Sequence, residues 1–301
     1  MKKSIAVVAM AFGVTSAFAQ DLTSKKGEPF LPEAGDYAIS IDANPFLNYL
    51  GTFFGKNNSA GAPTFDFLNN NFIITGKKFK DATNAYRASV RLGFDNTSTK
   101  TETADRSVAT AATYPDVPTM VTNKHSKSNT NIGISVGIEK RRGKTRLQGL
   151  YGAEAGIFYG STKDKYTYGN ELNPTGTPAV TVDNTADAMN GSANITTDTY
   201  GNDARVTVRK GGASFGIGVR GFVGAEYFVA PKISIGGEFG WGIGFGITGK
   251  SKTTTESIGG TTSAVGEQTV EGSKSSSFGL DTDNNSTFFG PSANLRLNLH
   301  F

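Results

Sequence analysis

The chain has 301 residues, with 30 basic and 26 acidic side chains, no cysteine and a formal charge of +4. The lack of cysteine excludes a disulfide framework, a thiol nucleophile and a cysteine metal site. The near-balance of charge gives no reason to expect a nucleic-acid partner.

The N-terminus reads Met1-Lys2-Lys3, then an apolar run over 5–12, then Ala17-Phe18-Ala19 before Gln20. A basic start, a short apolar core and an A-x-A site predict a secretory signal peptide over 1–19. The run is well short of the ~20 residues that a spanning helix needs. Removing it leaves 28 basic against 26 acidic side chains. Residues 20–35 are polar with two prolines and read as a periplasmic tail.

Alternation begins at 36–43, with Tyr37, Ile39 and Ile41 on one face and Ser40 and Asp42 on the other. Segment 45–54 opens on a proline, which suits a first helical turn. Phe46, Leu50, Phe53 and Phe54 would share a face, so a short amphipathic surface helix is expected there. Its alternative is a continuation of the first strand. Residues 71–80 form a second strand whose faces are ambiguous, and 81–84 a tight turn. In 85–95, Tyr86, Ala88, Val90, Leu92 and Phe94 oppose Arg87, Ser89, Arg91, Gly93 and Asp95. A Thr/Ser/Ala-rich loop is expected over 96–128. Residues 131–140 set Ile132, Ile134, Val136 and Ile138 against Gly133, Ser135, Gly137 and Glu139. Residues 141–144 read as a tight turn and 145–160 as the next strand. The polar stretch 161–212 reads as the longest loop.

The longest alternating stretch is 213–247, folded back at Ala230-Pro231-Lys232. Phe215, Ile217, Val219 and Val223 share one face of its first strand, and Phe239, Trp241, Ile243, Phe245 and Ile247 one face of its second. The opposite faces carry glycines, Arg220, Glu226 and Glu238. A period of two means strand. A long apolar face opposed to a small or charged one is the pattern of a transmembrane β-barrel. After a loop over 248–284, the last strand is expected over 286–301.

The expected fold is therefore all-β: an eight-stranded antiparallel transmembrane β-barrel over 36–301 with long extracellular loops. The mean hydropathy of −0.28 suits such a barrel, because only alternate residues meet lipid. Connections alternate long and tight, so every tight turn falls on the periplasmic side. Tyr86, Tyr227 and Phe301 would mark one aromatic girdle, and Phe94, Tyr159, Phe215 and Phe245 the other.

The signal peptide, the eight alternating strands and the closing run Asn294-Leu-Arg-Leu-Asn-Leu-His-Phe301 resemble small Gram-negative outer-membrane barrels of the OmpA/OmpX-like kind. The resemblance is one of architecture over the whole mature chain. It implies that Leu295, Leu297, Leu299 and Phe301 form a C-terminal signal read by the barrel-assembly machinery. No peptidoglycan-binding domain is expected after Phe301.

Arg87, Arg91, Arg220 and Arg296 fall on inward positions, as do Glu139, Glu154, Glu226 and Glu238. An eight-stranded barrel is just wide enough to be filled by its own side chains. Paired charges are satisfied there, whereas isolated ones are costly. A charge-paired plug is therefore expected, six of the eight (Arg87, Arg91, Glu139, Glu226, Glu238, Arg296) in its periplasmic half. Leu150, Phe158, Phe222 and Phe228 also point inward and leave room for a narrow apolar conduit.

Three apparent motifs carry little. Residues 244–251 match the phosphate-loop pattern G-x-x-x-x-G-K-S, but the glycines continue a strand and no helix start follows. Residues 281–285 resemble the start of a calcium loop without its glycine and glutamate. His125 and His300 are the only histidines and predict no zinc site. No cofactor, metal or catalytic residue is expected. The function expected is a non-enzymatic outer-membrane scaffold touching lipid, with loops 96–128, 161–212 and 248–284 offered to an outside or envelope partner. A narrow pore is the alternative, and a lipid-modifying enzyme, tested at His125, stands third.

Overall fold

A computed structural model describes residues 22–43, 73–109, 112–260, 263–282 and 293–301. The expected signal peptide and the expected helix at 45–54 lie outside the described residues. Among the described residues the protein is all-β, with thirteen strands and no helix.

Eight strands close into an antiparallel ring. In chain order they are β1 (Tyr37–Asp42), β2 (Ile74–Asp81), β3 (Asn84–Ala104), β4 (Met120–Arg142), β5 (Leu147–Thr167), β8 (Ser214–Ala230), β9 (Ile233–Thr248) and β13 (Ala293–His300). Each pairs with the next, and β13 pairs back with β1 from Ala38↔His300 to Asp42↔Arg296. At the seam Tyr37 N donates to Phe301 O at 2.8 Å and Phe301 N to Tyr37 O at 2.9 Å.

The period-two pattern sets which side faces in. Along β3, Ala85, Arg87, Ser89 and Arg91 are buried while Tyr86, Ala88, Val90 and Leu92 are exposed. A one-residue slip would reverse every one of these positions. Tight turns hold the register at one end. At the β2–β3 turn the Asp81 carboxylate accepts from Thr83 N and Oγ1 at 2.8 and 2.7 Å. At the β8–β9 turn Lys232 takes a φ of 61°, a left-handed position that the two-residue link after Ala230 demands.

The remaining strands correct the expected loops. Residues 96–128 are mostly a hairpin, because β3 and β4 stay paired out to Ala104↔Met120. Within 161–212 lie the end of β5, β6 (Ile195–Thr197) and β7 (Asp203–Lys210). Within 248–284 lie β10 (Lys252–Gly259), β11 (Ala264–Glu271) and β12 (Ser275–Thr282). The sheet continues beyond the ring in the order β5, β7, β10, β11. These segments have few large apolar side chains and are rich in β-favouring threonine, and among them β7 buries Ala204, Arg205 and Val206.

Two boundaries also move. The expected turn at 141–144 lies later, since β4 runs to Arg142 and β5 starts at Leu147. Of the expected last strand, 286–301, the described part is β13, which pairs with the inner half of β9 from Phe239 to Ile233, while β12, from within the expected loop 248–284, covers the outer half of β9 from Thr248 to Trp241.

The tail does not hang free. Residues 22–35 cross the tight-turn end of the ring, where Phe30 is buried under the Arg146 guanidinium, 3.6 Å from ring centroid to Cζ. Lys232 N donates to Phe30 O at 3.4 Å, and Lys232 pairs with Asp36. At the other end the stretch between β5 and β7 folds over the sheet. Tyr166, Met189 and Val206 form a small core there.

Candidate functional site

The interior of the ring is charged. The inward period of β2, β3, β4, β5, β8, β9 and β13 brings the side chains together from all sides. Arg87 sits at the centre. Its Nη1 donates to Glu238 Oε2 at 3.0 Å and lies 3.6 Å from Glu139 Oε2, and its Nε lies 3.4 Å from Glu154 Oε2. Arg220 Nη1 bridges Glu154 Oε1 at 2.9 Å and Glu238 Oε1 at 2.7 Å. Arg296 Nη2 is 3.6 Å from the same Glu238 oxygen, and its Nη1 donates to Thr75 Oγ1 at 2.8 Å. Arg91 is buried one inward step beyond Ser89.

Nearer the tight turns a second layer continues the network. Lys77 Nζ lies 2.9 Å from Glu139 Oε2, and Arg141 Nε donates to Glu139 Oε1 at 2.9 Å. Arg141 also binds Glu226, which accepts from Ser234 as well. His300 Nε2 lies 3.0 Å from Glu226 Oε1, its ring against Phe79 and Phe228. Below this layer Phe79, Phe228, Ala38 and Ala85 close the floor.

Every one of the eight sequence-derived charges is buried inside the ring. Glu154 and Arg220 belong to the same cluster as Arg87 and Glu238, so no boundary separates the six expected in one half from these two. Sequence reasoning missed Lys77 and Arg141. Both were detectable by counting from the turns: Lys77 lies opposite Arg87, and Arg141 opposite the inward Leu150. Each of the four carboxylates touches at least two cations, and Arg87, Arg141, Arg220 and Arg296 each have a carboxylate within ion-pair range. This is the condition under which buried charges are tolerated.

Small residues make the space. A Cβ on Gly240 would fall 2.2 Å from Arg220 Nε, and one on Gly152 2.6 Å from Phe222 Cζ. Phe222 in turn lies flat under the Arg87 guanidinium, 4.1 Å from centroid to Cζ, a cation–π contact in a dry site. Leu150, Phe222 and Phe228 are buried in the interior and Phe158 is half-buried.

A second polar cluster lies beyond the ring. Asp187 is fully buried and takes Arg106 Nη2 at 2.6 Å and Arg205 Nη1 at 3.1 Å. Arg205 also donates to Glu256 Oε1 at 2.7 Å and stacks on Tyr168. Burial pushes the Tyr168 hydroxyl well above the usual tyrosine range. It donates to Val206 O at 2.7 Å. This cluster ties the 168–194 stretch to the link after β3 and to β7 and β10.

His125 Nε2 lies 2.8 Å from Asp164 Oδ1, and its ring stacks on Tyr166 at 4.5 Å. The register explains the pair: His125 opposes Tyr166, and Lys127 opposes Asp164. Among the described residues no serine or threonine hydroxyl hydrogen-bonds to that ring. The phosphate-loop match at 244–251 runs along β9 into the link before β10, so a strand follows Lys250 where a helix would be needed. Among the described residues no group of His, Asp or Glu side chains is placed to hold a metal ion. Of the calcium-like stretch 281–285, all but the backbone of Asp281 and Thr282 lies outside the described residues.

The outward faces of β3, β4, β5, β8 and β9 carry Tyr86, Leu92, Val136, Ile138, Ile157, Ile217, Val219, Ile243 and Phe245, all exposed. Leu295, Leu299 and Phe301 are also exposed on the outward side, and Leu297 is half-buried between β1 and β9. Comparison with protein-family models, curated proteins and solved structures finds no match for the chain.

Proposed function

We propose that the chain is an integral outer-membrane β-barrel, non-enzymatic, whose closed ring spans the bilayer and whose long connections meet partners outside. One observation carries this reading: the ring is inside-out. Phe94 is 66% exposed, Val136 61% and Val219 55%, while Arg87, Glu139 and Arg220 are 2%, 0% and 3% exposed. Water rewards the reverse arrangement. A bilayer rewards this one, and closure leaves no strand edge to satisfy in hydrocarbon.

The aromatic positions support the same reading. Tyr37, Tyr86, Tyr151, Tyr227 and Phe301 lie on the outward face near the tight turns, and Phe94, Tyr159, Phe215 and Phe245 near the other end. From Phe215 to Tyr227 is about 40 Å along a strand, and about 28 Å in height at a ~45° tilt, close to a hydrocarbon core. The tight-turn end would face the periplasm. Leu295, Leu297, Leu299 and Phe301 would then be the assembly signal, and 1–19 the export signal. No cofactor is required.

The test is insertion. Residues 20–301 refolded into phosphatidylcholine vesicles should resist trypsin across the ring strands and run faster on unheated than on heated SDS gels. A chain that stays outside the vesicles and is digested throughout would sink the proposal. A narrow pore is the alternative that the buried Phe222 and Phe228, which fill the interior, argue against. Unitary current in a planar bilayer, altered by Arg296→Glu, would establish it in place of a filled scaffold.

A further inference from the structure

Beyond the apolar band, the outward face carries lysines in a row. Lys163 of β5 lies directly opposite Lys210 of β7, and Lys210 directly opposite Lys252 of β10. Opposed residues in antiparallel strands hold their Cβ atoms ~5 Å apart, and like charges so placed repel. Lys165 follows on the same face, and β3 and β4 add the opposed pair Lys100 and Lys124. All six are exposed. Two carboxylates lie close: Glu271, at 2.8 Å from both Lys250 and Lys252, and Glu102, which accepts from Thr122 Oγ1 at 2.8 Å. Among the described residues Lys100, Lys124, Lys163, Lys165 and Lys210 make no ion pair. The fold thus sustains a repulsion that a bound polyanion would relieve.

What lies beside the row names the anion's carrier. Tyr159, opposite Phe215, precedes Lys163 by two outward positions on β5. Below it an apolar groove of about 650 Å³ is lined by Ile134, Ile157, Ile217, Phe245 and Phe278. Ile157 and Lys163 are six residues apart, about 20 Å along a strand. At the ~45° tilt of such strands that is about 14 Å in height, close to one leaflet of a ~30 Å hydrocarbon core. A soluble anion would use the lysines and leave the groove unused. A lipid uses both.

We propose that this face is a docking site for a lipid whose headgroup carries phosphates, a phosphorylated glycolipid of the outer leaflet. Its phosphates would bridge Lys163, Lys210 and Lys252, and an acyl chain would run past Tyr159 into the groove. The inference rests on the membrane reading above.

The test uses residues 20–301 folded in a zwitterionic detergent, titrated with a diphosphorylated acyl-glucosamine disaccharide or its dephosphorylated form, with bound lipid counted by native mass spectrometry. The wild type should prefer the phosphorylated form by about tenfold or more. The variant K163Q/K210Q/K252Q should lose that preference. The equal-charge control K78Q/K80Q/K140Q, at the tight-turn rim, should keep it. Equal binding of both lipids by the wild type would overturn the proposal, as would equal loss in both variants. Failure to insert into any vesicle is a separate result, and it would remove the membrane reading and this site together.

Discussion

Arg87 and Glu238 are 151 residues apart in sequence and meet inside the ring with Nη1 to Oε2 at 3.0 Å. Their strands, β3 and β9, do not pair with each other, so this contact crosses the interior rather than following the wall. A glutamate on one side of the ring is thereby shared among three arginines from β3, β8 and β13.

Breaking that sharing should be expensive. Glu238→Gln leaves Arg87, Arg220 and Arg296 with Glu154 and Glu139 as their remaining carboxylates. Removing one member of a buried charge cluster costs about 3–5 kcal/mol. Urea unfolding in detergent micelles should show a loss of that size. A change below about 1 kcal/mol would mean that water reaches the interior and screens the cluster.

The glycines inside the ring should differ sharply from those outside it. Gly152→Ala would place a Cβ 2.0 Å from Ile138 O and 2.6 Å from Phe222 Cζ. Overpacking against backbone that cannot yield costs about 1–3 kcal/mol. Gly266→Ala on β11 meets no atom within 4 Å and should change stability by less than about 0.5 kcal/mol. Matching losses at the two sites would count against a packed interior.

Asp198 gives a pH prediction outside the ring. The Asn202 side chain donates to its carboxylate at 2.9 Å, and Ser257 Oγ does so at 2.9 Å. These bonds, Asn202 first, hold its pKa at about 2 against an ordinary 3.8. A depressed carboxylate stabilises the folded turn above the ordinary value and loses that contribution as pH falls through about 2. The amides of Tyr200 and Asn202, both donors to Asp198 at 2.8 and 2.9 Å, should therefore exchange well below their intrinsic rates at pH 4 and lose that protection towards pH 2. An Asp198 carboxyl carbon titrating near 3.8 by NMR would contradict it.

The outer cap should depend on one buried carboxylate. Asp187→Asn removes the shared partner of Arg106 and Arg205. Local opening of 168–194 should become about tenfold more frequent, because losing a charge-assisted bond costs at least ~1.4 kcal/mol. Limited proteolysis should then cut between 170 and 194 faster while the ring strands stay intact. Unchanged cleavage would place the cap's stability in Tyr166, Met189 and Val206 instead.

The ring was legible in the sequence because β3, β5, β8 and β9 alternate apolar with small or charged residues over most of their length, the inward Leu150, Phe158, Phe222 and Phe228 being the main breaks. Arg87, Arg220, Glu226 and Glu238 were readable for the same reason. Lys77 was not, because β2 has lysines on both faces, at 77 and 78, and only the turn at Asp81 fixes which one points in. Arg141 was hidden in a run of basic residues that reads as a turn. The hairpin beyond Asp95 was missed because Thr97, Thr99, Thr101 and Thr103 repeat with period two but have no apolar partners between them. Phe30 gave no signal, since a lone aromatic in a polar tail does not say that Arg146 lies across from it.

The pairing of β1 with β13 makes the position of the ring's seam a matter of sequence rather than of shape. The wall is continuous there, with Ala38 opposite His300, as it is between any other two neighbours. A circular permutant joining Phe301 to residue 36 through a short glycine-rich linker, and opened between Ala82 and Thr83, should form the same ring. What it would lose is the tail's hold on Lys232 and Arg146, so the permutant separates closure of the wall from sealing of its mouth.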